Sequence, residues 1–284
     1  MRTVSVKSFA KINISLRVVN KRSDGYHELD SIMVPIELHD SIIISPLSNS
    51  GDNFVTVDDF SNGLIHYNLA SASIDALAKE YGFKNKFRIY IHKVIPMQAG
   101  LGGGSSNAAF TMKAVNNMLK LNASEEKIID LCTPLGADIP FFVKCVPARC
   151  RGVGEKMEPI NIKNNYSVLI VKPNAGCSTK EVFAIADQKE FNPVDIDTVI
   201  KALEEGDDDL LASSIGNSLE EAAISLVPEI QEIKNILNEA GLKIVLMSGS
   251  GSTVFALSTD TSLIKKVAKS LEDKYFVAVT KIRK

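Results

Sequence analysis

From Pro96 to Asn107 the chain reads Pro-Met-Gln-Ala-Gly-Leu-Gly-Gly-Gly-Ser-Ser-Asn, with four glycines in the five positions Gly100–Gly104. The residues before it, Phe87–Ile95, read as a strand that runs directly into Pro96. After it, Ala108, Met112, Val115 and Leu119 recur at the spacing of one helical stripe. A glycine-rich link between strand and helix lets backbone approach a ligand closely. The new helix opens with unpaired N–H groups and the positive end of its dipole, so an anion is favoured there. Ser105 and Ser106 add hydroxyl donors. The segment predicts a phosphate site; the plain alternative is a surface turn capped by serine. A Walker loop is absent, no G-x-G-x-x-G is completed, and the HRD and DFG pair of protein kinases is missing.

The rest of the chain predicts an α+β fold with two lobes, cut near residues 150–165, with domains at 1–158 and 159–284. Val4 to Val18 alternates as strand, Asp24-Gly25 marks a turn, and a strand pair is expected at Leu29–Ile36 and Ser41–Ser45. A helix follows Asn68, and another starts at Glu125. Strands are expected at Ser167–Val171, Ile244–Met247 and Val254–Leu257. Ile224–Ala240 reads as the longest helical run, with a closing helix at Ser262–Leu271 and a closing strand at Phe276–Ile282.

Several functions are disfavoured by composition. Lys+Arg 32 against Asp+Glu 34 gives a net charge of −2, without the basic excess of a nucleic-acid binder. No apolar stretch approaches the roughly 18 residues of a membrane span, and the alternating start lacks the apolar core of a signal peptide. A cytosolic chain with no membrane partner is expected. Cys132, Cys145, Cys150 and Cys177 form no CxxC pair, and His27-Glu28 has no second histidine at zincin spacing, so no metal cage is expected.

Pro96-x-x-x-Gly100-Leu-Gly-Gly-Gly-Ser-Ser resembles the nucleotide loop of the GHMP kinases. Three further segments narrow the resemblance: Ala10-Lys-Ile-Asn-Ile-Ser-Leu16, Asp24-Gly-Tyr-His-Glu-Leu29 and Gly136-Ala-Asp-Ile-Pro-Phe-Phe142. They are similar to the branch that phosphorylates the 2-hydroxyl of 4-diphosphocytidyl-2-C-methyl-D-erythritol in non-mevalonate isoprenoid synthesis. Met247-Ser-Gly-Ser-Gly-Ser252 fits that family's C-terminal motif. The chain departs from it at Phe9, where proline is usual, at Cys145-Val146, where Gly-Gly is usual, and at Ala72, where a lysine is frequent. The resemblance implies a ribosomal protein S5-like N-terminal lobe and a ferredoxin-like C-terminal lobe. It implies ATP as co-substrate with Mg2+, a small-molecule acceptor, and a monomer or weak homodimer. Sibling kinases acting on homoserine or mevalonate-type substrates, and a nucleotide-binding relative without catalysis, are the alternatives.

The resemblance also implies site residues. Asp138, in an otherwise apolar or small run, is the expected proton acceptor, with Lys11 as its charged partner; taken alone, Asp138 reads equally as a helix N-cap and Lys11 as a solvent-facing strand lysine. Nucleotide contacts are expected from Asn68, Lys93, Pro96, Met97, Gln98, Ala99, Gly100, Leu101, Gly102, Gly103, Gly104, Ser105, Ser106 and Asn107. Asn68 reads as well as a helix cap, and Lys93 as a solvent-facing strand end. Substrate contacts are expected from Asn13, Tyr26, His27, Thr179 and Phe183, with cytosine held between Tyr26 and Phe183; a core position is the other reading of Phe183. The ligands of the magnesium ion are not legible.

Overall fold

The computed structural model describes residues 2–47, 52–58, 68–189, 191 and 193–284. In chain order it opens with β1 (Val4–Lys21), β2 (His27–Pro46), β3 (Phe54–Asp58), α1 (Leu69–Tyr81) and β4 (Phe87–His92). Then come α2 (Gly103–Leu119), α3 (Glu125–Cys132), α4 (Ile139–Lys144), β5 (Ala148–Gly152), β6 (Lys156–Pro159) and β7 (Ser167–Lys172). The remainder is α5 (Thr179–Ala186), α6 (Ile196–Glu205), α7 (Asp208–Ser214), α8 (Glu220–Leu226), α9 (Glu229–Glu239), β8 (Ile244–Met247), β9 (Val254–Ser258), α10 (Thr261–Lys269) and β10 (Phe276–Lys281). The class is α+β, as the irregular order of strand and helix patterns predicts.

The chain forms two compact units, and neither is one continuous stretch. The first comprises Met1–Ala10, His39–Pro96 and Gly102–Cys145; the second comprises Lys11–Leu38, Met97–Leu101 and Val146–Lys284. The expected cut at 158/159 falls inside the second unit, because β5 and β6 belong with the first half of β2: Leu29 to Met33 pair antiparallel with Gly152 to Ala148. Strands β1 and β2 are each divided between the units.

In the first unit, the end of β2 pairs antiparallel with β4, Ser41 opposite His92, and β4 pairs parallel with β3. Ile42 and Ile44 alternate with exposed or half-buried neighbours and, with Phe87, Ile89 and Ile91, are fully buried. Ile74 and Leu77 of α1 and Met112 and Val115 of α2 are buried in the same unit, with Phe141 and Phe142 of α4. Burial on α2 is broader than a single stripe, extending to Ala109 and Ala114. Small side chains there let helix backbone lie close to its neighbours.

In the second unit, β7, β8, β9 and β10 form an antiparallel sheet in the order β10-β7-β9-β8. Helices α9 and α10 pack on it with Ile230, Ile233, Leu237, Ile264 and Val267, and Leu16 and Val18 of β1 join this core.

Two expected boundaries differ. The strand pair at Leu29–Ile36 and Ser41–Ser45 is one strand, β2, since the polar residues between its halves are partnered and not turned into solvent. Glu37 takes a 3.0 Å bond from Arg283 Nη1, and Asp40 is fully buried. The long helix at Ile224–Ala240 is two, α8 and α9, because Pro228 lacks the N–H and crowds the preceding turn.

Phe255 lies at the centre of β9, opposite Ile170 on one side and Leu246 on the other, with no exposure. Phe255→Ala is expected to lower unfolding free energy by about 3–5 kcal/mol in equilibrium urea titration.

Candidate active site

The second half of the glycine-rich segment lies in the first unit. Gly102 takes φ 69°, the left-handed region, and stands before α2 with no side chain to cap it. The amide end of α2 is therefore left for an external acceptor. A Cβ on Gly103 would lie 3.0 Å from both Ile95 Cγ2 and Lys93 Nζ, so any side chain there requires one of them to give by a few tenths of an ångström. Gly104 is exposed, and a Cβ there would find only Leu69 Cδ1, at 3.8 Å. Ser105 is half-buried, whereas the Ser106 hydroxyl is fully buried with no hydrogen-bond partner.

Beneath this turn sits Asp40, which the sequence reading missed. Its Oδ1 accepts from the amides of Val94 and Ile95, each at 2.8 Å. Its Oδ2 accepts from Lys93 Nζ at 2.5 Å and from Asn107 Nδ2 at 2.9 Å. Asn107 Nδ2 also reaches Ser8 Oγ at 2.7 Å. A buried carboxylate is tolerable only with such pairing. Lys93 and Asn107 thus shape the turn from below. The one sequence signal was a charged residue inside an otherwise strand-like stretch. Asn68 caps α1, its side chain accepting from Ala70 N at 2.8 Å.

Asp138 stands at the N-cap position of α4 in helical conformation, and its side chain makes no capping bond. Ile139, Pro140, Phe141, Phe142 and Val143, which follow it, are all buried, while Asp138 itself is half-buried. The capping alternative does not describe how its carboxylate is used.

The first half of the loop, Met97–Leu101, lies in the second unit and is strapped down through its carbonyls. Gln98 O accepts from Cys177 N, Ala99 O from Thr253 N, Gly100 O from Ser248 Oγ and Leu101 O from Lys11 N, at 3.4, 3.4, 3.0 and 3.0 Å. Gly100 has φ 71°, and a Cβ there would overlap the Ser248 carbonyl. Ala99 and Leu101 are buried, while Met97 and Gln98 expose their side chains. Only those two of the strap offer side chains outward; Pro96, in the first unit, is half-buried.

Beside the strap, Lys11 and Asn13 are buried on β1. Lys11 Nζ donates to Asn13 Oδ1 at 2.5 Å, Asn13 Nδ2 donates to Ser31 Oγ at 2.8 Å, and Ser31 Oγ donates to Ser15 O at 2.7 Å. The solvent-facing reading of Lys11 is therefore set aside. Next to Ser31, Asp30 receives a two-pronged bond from Arg149, at 2.8 and 2.6 Å, and Arg149 Nη1 also meets Asp197 at 2.7 Å. These contacts hold the guanidinium well above its already high ordinary value, chiefly through the Asp30 hydrogen bonds.

His27 and Phe183 stack directly on each other, centroids 4.4 Å apart and planes 23° from parallel. This pair is not the expected one of Tyr26 and Phe183, and it takes one face of Phe183. Tyr26 remains 62% exposed. His27 Nε2 meets Asp187 Oδ1 at 2.6 Å, and Lys21 donates to Asp187 Oδ2 at 2.5 Å. The Lys21 bond, followed after burial's opposing effect by the His27 bond, keeps the Asp187 carboxyl below the usual carboxylate range. Thr179 shares a 2.9 Å hydroxyl contact with Ser250. Among the described residues no group of three or more His, Cys, Asp or Glu converges, and no helix is long and apolar enough to cross a membrane.

Residues 68–145 match the GHMP kinases N terminal domain, and residues 199–277 match the GHMP kinases C terminal domain. The chain is 37% identical over 270 residues to a 4-diphosphocytidyl-2-C-methyl-D-erythritol kinase of Bacillus subtilis (strain 168), covering 93% of this chain and 91% of that one. A crystal structure of 4-(cytidine 5'-diphospho)-2C-methyl-D-erythritol kinase superposes with a TM-score of 0.83 at 29% identity, over 99% of this chain and 100% of the other. A homoserine kinase from Cytophaga hutchinsonii superposes with a TM-score of 0.73 at 18% identity, covering 98% and 95%, a likeness of fold.

Two outcomes are expected. Gly103→Ala must displace Ile95 or Lys93 and should lower the thermal midpoint. Gly104→Ala should leave it unchanged or slightly raised yet weaken ATP binding by about tenfold or more in calorimetry. Unchanged affinity in Gly104→Ala would move the phosphates elsewhere. Asp187 gives a pH signature. Its folded pKa is depressed, so its stabilisation is full above the unfolded value of about 3.9 and fades as pH falls through the lower folded value. The gap in urea midpoint between wild type and Asp187→Asn should shrink between pH 6 and pH 3.

Proposed function

The chain belongs to the GHMP kinases, in the 4-diphosphocytidyl-2-C-methyl-D-erythritol kinase branch, and on that footing we propose how its residues carry the reaction. The reaction is transfer of a phosphoryl group from ATP to the 2-hydroxyl of 4-diphosphocytidyl-2-C-methyl-D-erythritol, a step of non-mevalonate isoprenoid synthesis. The observation that carries the site reading is the open amide end of α2 behind Gly102, with exposed Gly104 at its mouth. Phosphoryl transfer requires positioning and charge neutralisation more than covalent chemistry, and fixed amide donors supply both without reorganisation.

The phosphates rest on the backbone of Gly103, Gly104 and Ser105, and Ser105 contributes its hydroxyl. Lys93 and Asn107 act through their bonds to Asp40, holding the turn rather than the nucleotide. Asn68 supports the site as the cap of α1. Met97 and Gln98 are the strap side chains able to meet the nucleotide. Asp138 is the residue that accepts the proton of the attacking hydroxyl, and Lys11 is a buried cation suited to offset negative charge in the transfer.

For magnesium, the unpartnered Ser106 hydroxyl and its neighbour Ser105 are oxygens of the right type in the right turn. They would hold the ion together with phosphate oxygens, and the ion would neutralise charge on the transferring group. On the acceptor side, Tyr26 offers the exposed stacking face for cytosine, and His27 is oriented toward its task by Asp187. Asn13 and Thr179 supply hydrogen bonds to the acceptor. The enzyme works in the cytosol as a monomer or weak homodimer.

A coupled assay with ATP decides the substrate: turnover with the cytidine compound and none with homoserine or mevalonate is expected. Asp138→Asn should cut kcat by more than about tenfold with the ATP KM within a few fold. Tyr26→Ala should raise the KM of the cytidine substrate about 5- to 150-fold without changing thermal stability. An unaltered KM in that variant would move the base off Tyr26.

A further inference from the structure

Lys11 and Asn13 need a fixed surface to hold them, and the turn after β8 supplies it. A Cβ on Gly249 would lie 3.2 Å from Lys11 Nζ, 3.2 Å from Asn13 Oδ1 and 3.3 Å from Gly100 O. The backbone of this turn therefore lies against the buried lysine, its asparagine and the strap together. Ser248 adds two bonds of its own, accepting from Asn13 N at 3.2 Å and donating to Gly100 O at 3.0 Å. A displacement of the turn would disturb both Lys11 and the strap.

The side chain that spans the turn from its start to Gly249 comes from elsewhere in the unit. Asn217 Nδ2 donates to Met247 O at 2.9 Å and to Gly249 O at 2.8 Å, while its Oδ1 accepts from Leu219 N at 2.9 Å. Both amide protons and the carbonyl are committed. The backbone around Asn217 is tied to the strand that carries Lys11. Leu16 N donates to Gly216 O and Ser218 N donates to Leu16 O, both at 2.9 Å, a parallel bridge reinforced by Ser15 Oγ to Gly216 O at 2.9 Å. Glu220, close by in the chain, accepts from Met247 N at 3.0 Å and is paired with Lys234 at 2.5 Å.

The ring is closed. It runs from Lys11 along β1 to Leu16, across to Asn217, over to Gly249, and back to Lys11. We infer that Asn217 is a positioning residue for the phosphoryl transfer, setting the Met247–Gly249 turn that fixes the Lys11 ammonium and its partner Asn13. The inference rests on the role given above to Lys11. Neither aspartate nor alanine reproduces the bonds of Asn217: aspartate keeps the acceptor for Leu219 but faces two carbonyl oxygens with a charge, and alanine removes the donor that both carbonyls share.

The test uses the full chain with ATP and the cytidine substrate. Asn217→Ala is expected to lower kcat by about 10- to 100-fold, the loss of one or two hydrogen bonds to the turn, with the ATP KM within about threefold. In the Lys11→Arg background the same change should cost less than about threefold, because the group it positions is already displaced. Asn217→Asp decides the matter if the alanine variant does not fold. Its kcat relative to wild type should rise as pH is lowered from 8 to 6, since a protonated carboxyl regains one donor. Losses that multiply in full on the Lys11→Arg background, or an Asn217→Asp deficit flat with pH, would overturn the inference. Wild-type kcat in Lys11→Arg alone would instead remove the premise about Lys11, and the inference with it.

Discussion

The Asp40 carboxylate is the constraint on which the glycine turn of the first unit depends. A charge with no solvent contact must be answered within hydrogen-bond distance, and here four donors answer it: two backbone amides, an ammonium and a carboxamide. Each donor comes from a part of the turn that must be held still. Val94 and Ile95 fix the chain leaving β4, Lys93 fills the space under Gly103, and Asn107 anchors α2 in its second turn. Positive charge under a helix N-terminus opposes the dipole, and Asp40 removes that conflict by pairing with it. The amide end above is left to favour an anion.

The second unit solves a similar problem without a buried carboxylate at its centre. Its part of the loop is held by carbonyl bonds from Cys177, Thr253, Ser248 and Lys11, so the strap is defined by backbone rather than by the identity of Met97 or Gln98. Lys172 supports the same neighbourhood. Its ammonium donates to the carbonyls of Pro173, Asn174 and Ala175, and burial lowers its pKa. Cationic side chains at both places serve as rigid struts as much as charges.

Much of this was legible in the residues. The glycine run between strand and helix predicts α2 and its open end, and the strand expected at Phe87–Ile95 is β4. Pro228 was also visible, and giving it full weight would have split the helical run at Ile224–Ala240. What could not be read was the pairing of charges far apart in sequence. Asp40 and Glu37 looked like a loop because nothing local shows that Lys93, Asn107 and Arg283 wait for them. The stacking of His27 on Phe183 was hidden for the same reason: nothing local to either residue shows that they spend one face on each other. Asn217 carries no chemistry that marks it, since an asparagine before a helix reads as a cap.

The divided paths of β1 and β2 govern the order in which the chain can assemble. The first unit is complete once Cys145 has been made, but the second begins at Lys11 and ends at Lys284. Apart from Leu29, the residues that share a core with Leu16 and Val18 lie from Leu169 onward. On a ribosome these apolar residues emerge early and wait through the synthesis of about half the chain before the first of those partners is made. Contacts so distant in sequence make closure of the second unit slow, because the entropy of closing the long intervening loop must be met before the contacts form.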